Sequence, residues 1–249
     1  MRLLRLIICL AVFTGCSKKD NSPRYIIGPP PAPLPRTDLR ILYIGNSLIS
    51  SNALPEIVTD IAKQDSVTVA FKDMSLGNFS LEDHWNMGAI QTEIATGQYD
   101  YVVVSQGPSS LASSQILLIE YVKRIKGVCT SNNAKLCVYM VWPDKTRLAF
   151  LDDVINGYTE AAAQSSSTLA PAGLSWKFAW QDDPLLPLYS GDNFHPSVLG
   201  STLAALTIYG AIKQKKDFGS LVLQNLKVYR DITPNQFFII KQAAARALK

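Results

Sequence analysis

Four short apolar stretches predict the strands of a folded domain. Three of them, 41–44, 101–104 and 136–142, are continuous and rich in β-branched or aromatic residues. Such runs are typical of strands buried on both faces, as in a parallel sheet. The fourth stretch, 67–71, alternates apolar and polar positions. Alternation predicts a strand with one solvated face, at the edge of the sheet.

Helical patterns separate these strands. Apolar residues recur there at spacings of three and four, which predicts helices over 53–64, 81–96, 110–126, 148–164 and 197–213. Thr233 and Gln236 form a capping box that starts a last helix, and 168–170 is a candidate fifth strand. Strands that alternate with helices predict an α/β fold with three α/β/α layers around a parallel sheet.

The first residues have the pattern of an export signal. Two arginines precede an apolar run that ends at Phe13, and small residues then lead to Cys16. This order is typical of secretory signals, and the run is shorter than the roughly 20 residues of a membrane-spanning helix. We therefore expect residues 1–15 to be a signal peptide. The segment ending at Cys16 resembles a bacterial lipobox, which implies lipidation of that cysteine; the alternative is an ordinary signal peptide.

A proline-rich segment separates this signal from the predicted domain. Residues 28–35 read GPPPAPLP, and proline favours an extended, semi-stiff chain. We expect residues 16–36 to be a tether and residues 37–249 to be the folded domain. The tether and lipid together predict a location in the bacterial cell envelope, with the membrane contacted only through the N-terminal lipid.

Two cysteines remain in the predicted domain, Cys129 and Cys137. An exported chain meets an oxidising compartment, so we expect a disulfide between them. Two free thiols are the alternative if Cys137 lies inside a strand and points away. Neither cysteine has neighbours that suggest a metal site or a reactive thiolate.

Charge and composition exclude several classes of function. The chain has 249 residues, with 24 Lys and Arg against 20 Asp and Glu, and so weak an imbalance gives no basis for nucleic-acid binding. No set of histidines, cysteines and carboxylates has metal-ligand spacing, and no cofactor is expected. The oligomeric state is not predicted by any of these features.

Two segments place reactive side chains near the carboxyl ends of the predicted strands, where parallel sheets bind ligands. Ser47 follows the first strand and begins a helix, whose positive end favours developing negative charge. A helix cap is the alternative role for this serine. Asp192 lies three residues before His195, and a turn there would bring its carboxylate to the imidazole and leave the second ring nitrogen for a serine. Asp182 and Asp183 are second candidates for the acid.

With these segments the chain resembles the SGNH (GDSL-like) hydrolases, serine esterases and lipases with a flavodoxin-like fold. The resemblance covers residues 39–213. It implies that Ser47, Asp192 and His195 form a catalytic triad, and that the N–H groups of Ser47 and Gly77 line the oxyanion hole. Residues 171–176 also resemble a segment of carbohydrate-directed members.

One block departs from the family pattern. The family usually has Gly-x-Asn-Asp after the third strand, and the Asn side chain donates to the oxyanion. This chain reads VSQGPS over 104–109. Gln106 carries the same carboxamide and is expected to donate instead; a role in capping the next helix is the alternative. Loss of one donor costs about 10²–10³ in rate.

Four aromatic residues are expected near the substrate: His84, Trp85, Trp142 and Trp176. Aromatic faces suit sugar rings, although core packing is the alternative for Trp142 and Trp176, and an exposed helix position is the alternative for His84. The resemblance therefore implies a serine esterase that hydrolyses a small-molecule or saccharide ester. Export, the proline-rich tether and the 171–176 segment favour an O-acetyl group on a saccharide. The alternative is a catalytically weak surface lipoprotein that binds glycans or a protein partner.

Overall fold

A five-stranded parallel sheet is the centre of the computed structural model, which describes residues 33–249. The strands are β1 (Leu39–Ile44), β2 (Val69–Asp73), β3 (Tyr101–Val104), β4 (Lys135–Tyr139) and β5 (Thr168–Ala170). Their order across the sheet is β2-β1-β3-β4-β5, and every neighbouring pair is parallel. This order confirms the predicted flavodoxin-like α/β fold. The predicted signal peptide, Cys16 and most of the tether lie outside the described residues.

Nine α-helices surround the sheet within residues 33–249. They are α1 (Ser47–Ser50), α2 (Leu54–Gln64), α3 (Leu81–Met87), α4 (Ala89–Ile94), α5 (Ala112–Ser131), α6 (Leu151–Gln164), α7 (Ala172–Asp182), α8 (Val198–Lys213) and α9 (Pro234–Ala247). Helices α2 and α8 pack together on one face, and α7 and α9 pack against α8. Helices α5 and α6 cover the other face, with α3 and α4 beside α5. The result is the three layers that the sequence predicts.

The continuous apolar runs form the buried strands, as predicted. Ile41 to Ile44 of β1 are fully buried, as are Val102 to Val104 of β3. Leu42 is in register with Val102. Strand β2, by contrast, is half-buried and lies at the edge of the sheet. The alternating pattern therefore indicated its position correctly.

Two helical segments differ from the prediction. The helix expected over 81–96 is two helices, because Gly88 has a left-handed φ of 76° that ends α3 and begins α4. Glycine reaches this conformation without the steric cost that a Cβ imposes. Helix α7 was not predicted at all. The capping box of α9 is present, with Thr233 and Gln236 each bonding the other's backbone N–H.

The predicted disulfide is wrong, because Cys129 and Cys137 are both free and buried. Cys129 lies on α5 and Cys137 inside β4, so each side chain packs in the core on its own element. Burial raises the pKa of each thiol to about 12. Both therefore stay protonated and act as small apolar core residues.

No helix within residues 33–249 has both the length and the apolar character needed to cross a bilayer.

Candidate active site

Ser47 is the first residue of α1, directly beyond the carboxyl end of β1. Asn46 caps this helix, since its side-chain oxygen accepts a hydrogen bond from the Leu48 N–H at 3.1 Å. Gly45 allows the tight exit from the strand, because a Cβ there would lie 2.8 Å from the Ser105 carbonyl oxygen. The local sequence thus presents the Ser47 hydroxyl at the edge where parallel sheets bind ligands.

A chain of two hydrogen bonds joins Ser47, His195 and Asp192. The Ser47 Oγ lies 2.8 Å from His195 Nε2, and His195 Nδ1 lies 2.6 Å from Asp192 Oδ2. A carboxylate can only accept, so Nδ1 carries the proton and donates it to Asp192. In the neutral imidazole Nε2 is then free to accept from the serine hydroxyl. The structure therefore brings together the three residues that the sequence singled out.

Asp192 is held by its own neighbours in the chain. Its Oδ1 accepts from the backbone N–H groups of Phe194 at 3.0 Å and His195 at 2.9 Å, and from the Ser190 hydroxyl at 2.7 Å. The hydrogen bond from the His195 ring lowers the pKa of Asp192 most, and the three bonds to Oδ1 lower it further, so that it lies well below its ordinary value. The carboxylate is therefore ionised at neutral pH and can stabilise a protonated imidazole. Asp182 instead pairs with Arg246 at 2.8 Å, and Asp183 bonds the Leu185 N–H.

A missed residue, Asn52, joins the serine segment to the histidine segment. Its Nδ2 donates to the Pro196 carbonyl and to the Ser201 hydroxyl, both at 2.9 Å. Asn52 has a left-handed φ of 53°, a conformation that Asn adopts more readily than most residues. Nothing in the local pattern points to its partners, which lie 144 and 149 residues away.

The Ser47 hydroxyl opens into a cleft of about 300 Å³. It is lined by Asn46, Ser47, Asn78, Phe79, Ser80, Gly107 and Phe194. Sequence reasoning had not assigned Asn78, Phe79 or Phe194 to the site. Gly77 itself is exposed in the loop beside Asn78, and this loop is tied to the serine segment by a 2.9 Å bond from the Leu76 N–H to the Gly45 carbonyl.

The expected donation from Gln106 to an oxyanion is not seen. Its side chain is buried, and its Nε2 donates to Ser109 Oγ at 2.8 Å and to the Ser114 carbonyl at 3.3 Å. Its Oε1 accepts from the Leu81 N–H at 3.4 Å. Both amide hydrogens are thus used inside the protein, and Oε1 serves the Leu81 N–H, which begins α3 and has no intrahelical partner. Gln106 anchors its loop to α3 and α5.

His84 and Trp85 do not line the Ser47 cleft. His84 is buried, and its Nε2 lies 2.7 Å from the Gly45 carbonyl oxygen. Burial is the main reason that its pKa is lowered, and the neutral ring donates to that carbonyl. Trp85 is half-buried and contacts Arg124 of α5, whose guanidinium carbon is 5.7 Å from the ring centroid. The expectation that these two residues bind substrate is therefore not supported by their positions.

Trp142 and Trp176 are core residues rather than walls of the cleft. Both are fully buried, and their rings stack with centroids 3.5 Å apart. A sugar cannot reach either face, so their predicted substrate role is wrong. Trp142 instead supports the site, since its Nε1 donates to the Phe194 carbonyl at 3.3 Å. Within the described part of the chain, no group of three or more histidines, cysteines and carboxylates could hold a metal ion.

Comparisons with known proteins rest on structure alone, because no family model and no curated protein matches the chain. A protein from Slackia heliotrinireducens described as a candidate SGNH hydrolase is 27% identical, with a TM-score of 0.58 over 70% of this chain and 98% of that one. A DUF4886 family protein from Bacteroides uniformis is 20% identical, with a TM-score of 0.67 over 84% of this chain and 93% of that one.

A lipase/acylhydrolase from Enterococcus faecalis is 14% identical, with a TM-score of 0.57 over 71% of this chain and 96% of that one. At such identity the likeness concerns the fold. The chain therefore has the fold of the SGNH (GDSL-like) hydrolases.

Proposed function

We propose that this chain is a serine ester hydrolase that works through a covalent acyl-enzyme. The observation that carries the proposal is the hydrogen-bonded series from Ser47 Oγ through His195 to Asp192, with distances of 2.8 and 2.6 Å. A nucleophile, a base within hydrogen-bond reach and a group that orients the base are the parts such catalysis needs. A protein that only binds ligands has no use for this alignment.

The reaction proceeds in two halves. Ser47 Oγ attacks the ester carbonyl carbon, and its proton passes to His195 Nε2. The bond to the alcohol oxygen breaks, and the imidazolium returns the proton to that leaving alcohol. A water then attacks the acyl-enzyme with His195 as base, which releases the acid and restores Ser47. Asp192 keeps the imidazole in the productive tautomer and stabilises its protonated form.

The carbonyl oxygen gains negative charge in both halves, and backbone donors near Ser47 would stabilise it. The Ser47 N–H is unpaired within residues 33–249, at the start of α1. The Gly77 N–H is likewise free of partners there, in the loop held against the serine segment. We assign these two N–H groups to the oxyanion hole, where each donor is worth about 10²–10³ in rate.

The cleft favours a small, polar ester. Its volume of about 300 Å³ is at the lower end for ligand sites, and three polar side chains other than the nucleophile line it: Asn46, Asn78 and Ser80. A long acyl chain would need a larger apolar surface. A short acyl group, acetyl first, on a hydroxyl-bearing alcohol such as a sugar fits this lining best.

The test is the release of p-nitrophenol from its acetate by the purified protein. We expect Ser47→Ala to lower the rate by at least about 10³-fold. Ser50→Ala is the matched control, because Ser50 lies exposed at the other end of α1 and should leave the rate unchanged. Equal rates for the wild type and Ser47→Ala would reject the proposal. Acetylated sugars and longer acyl esters then define the substrate.

One observation favours a second function, a catalytically weak lipoprotein that binds glycans or a protein partner. The side-chain amide that the family places in the oxyanion hole is absent, and Gln106 does not replace it. Under this alternative the cleft binds a saccharide without hydrolysis. Calorimetric titration with the acetylated sugar, together with product analysis, separates binding from turnover.

We also propose that the protein is anchored in the cell envelope by a lipid on Cys16. The support is the charged, apolar and small-residue order before that cysteine and the proline-rich segment after it. Radiolabelled palmitate should be incorporated by the wild type. Cys16→Ser should abolish the label, and label that persists in this variant would contradict the proposal.

A further inference from the structure

Gly107 follows Gln106, and its backbone N–H makes no hydrogen bond within residues 33–249. We propose that the Gly107 N–H is a catalytic group that donates to the oxyanion in place of a side-chain amide. This inference rests on the proposed hydrolase function. It differs from the family pattern, in which a side chain supplies this donor, and from the prediction that Gln106 would do so.

The Gly107 N–H points away from the buried side of its loop. The preceding carbonyl, that of Gln106, accepts from the Tyr158 hydroxyl at 2.8 Å, and Tyr158 is fully buried on α6. No peptide bond within residues 33–249 is cis, and in a planar trans peptide the N–H points opposite to the carbonyl. The Gly107 N–H therefore points away from Tyr158. Gly107 is half-buried and lines the cleft that contains Ser47.

The peptide groups around Gly107 are held in place, whereas its own N–H stays free. The Gly107 carbonyl accepts from the Ser109 hydroxyl at 3.0 Å and lies 3.0 Å from the Tyr158 hydroxyl. The Gln106 side chain fastens the loop from inside. The Gly107 N–H makes no hydrogen bond with any residue of 33–249. A fixed donor without a partner can stabilise developing charge without reorganising first.

A pair of substitutions at this position separates the N–H from the side chain. Gly107→Pro removes the N–H, whereas Gly107→Ala keeps it and adds a Cβ that meets no atom within 4 Å. We expect the kcat of the proline variant to be about 10²-fold below that of the alanine variant, with little difference in KM, because the donor acts mainly in the transition state. Folded variants with equal kcat would overturn the proposal.

A second measurement on the unaltered protein does not depend on the folding of a proline variant. Diethyl p-nitrophenyl phosphate transfers its phosphoryl group to an activated serine: an Oγ–P bond forms, p-nitrophenolate leaves, and the serine proton passes to His195. A phosphoryl oxygen then occupies the oxyanion position. We expect the amide proton of Gly107, followed by NMR in the ¹⁵N-labelled protein, to move downfield when the adduct forms.

The outcomes distinguish the two proposals. An adduct on Ser47 with the expected shift supports both. An adduct without a shift at Gly107 overturns the backbone-donor proposal and leaves the hydrolase intact. If Ser47 forms no adduct and the wild type shows no Ser47-dependent turnover, the proposed function fails and this inference fails with it.

Discussion

The turn that holds His195 and the loop that holds Gln106 are built in opposite ways. In the turn, Asp192 bonds the backbone of Phe194 and the backbone and ring of His195, all within three residues. In the loop, Gln106 bonds Leu81 and Ser114, and its backbone bonds Tyr158, 52 residues away. The turn directs the His195 ring to the Ser47 hydroxyl, whereas the loop turns the Gln106 side chain inward.

Burial explains the difference. The Asp192 side chain is 51% exposed, so solvent and nearby backbone groups satisfy it and its geometry depends on few residues. Gln106 is 5% exposed, and each unpaired buried group beside it would cost about 1–3 kcal/mol. The direction of the Gln106 side chain is therefore set by which buried groups of other elements need partners. A motif predicts geometry reliably where its contacts are local, and poorly where they are distant.

The largest expected effect tests the local turn. In Asp192→Asn the amide can donate to the imidazole and favour the wrong tautomer, so kcat should fall by about 10⁴-fold. The matched controls are Asp182→Asn and Asp183→Asn, the rival acids from the sequence, whose side chains make no bond to His195. Both should keep wild-type kcat. A loss confined to either control would show that the acid is misassigned.

The next effect tests the distant anchoring of the loop. Tyr158→Phe removes the hydroxyl that pairs with the Gln106 N–H and carbonyl, and we expect the free energy of unfolding in urea to fall by about 1–3 kcal/mol. Tyr43→Phe is the matched control, because Tyr43 is equally buried but its hydroxyl has no hydrogen-bond partner among residues 33–249. If both variants unfold at the same urea concentration, the loop does not depend on Tyr158.

The smallest expected effect concerns His84, which ties the serine segment to the neighbouring helix. Burial lowers the pKa of His84 in the folded chain, so below its unfolded value of about 6.5 the unfolded chain binds the proton more readily. The free energy of unfolding should therefore fall as the pH decreases from about 7 to about 5. In His84→Gln this fall should be shallower, as measured by urea unfolding. Parallel curves would contradict a neutral, buried His84.

The local sequence determined the strands, the start of the last helix and the two turns that carry Ser47 and His195. The continuous apolar runs predicted the buried strands, alternation predicted the edge strand, and the capping box predicted the start of α9, because each depends on neighbouring residues alone. Gly45 and Asn46 determine how Ser47 leaves β1, and the Asp192 to His195 spacing determines its own turn. The catalytic roles of these residues stay predictions until activity is measured.

The tertiary structure decided which distant side chains pair, because those partners depend on which surfaces of the chain meet. The cysteines expected to pair lie on separate buried elements, Trp142 and Trp176 stack in the core, and Asn52 finds partners on α8 and beside His195. Gln106 turns inward because buried groups of other elements need its hydrogen bonds. Residue type and spacing indicate which groups can react, but burial by distant parts of the chain decides which of them face the cleft.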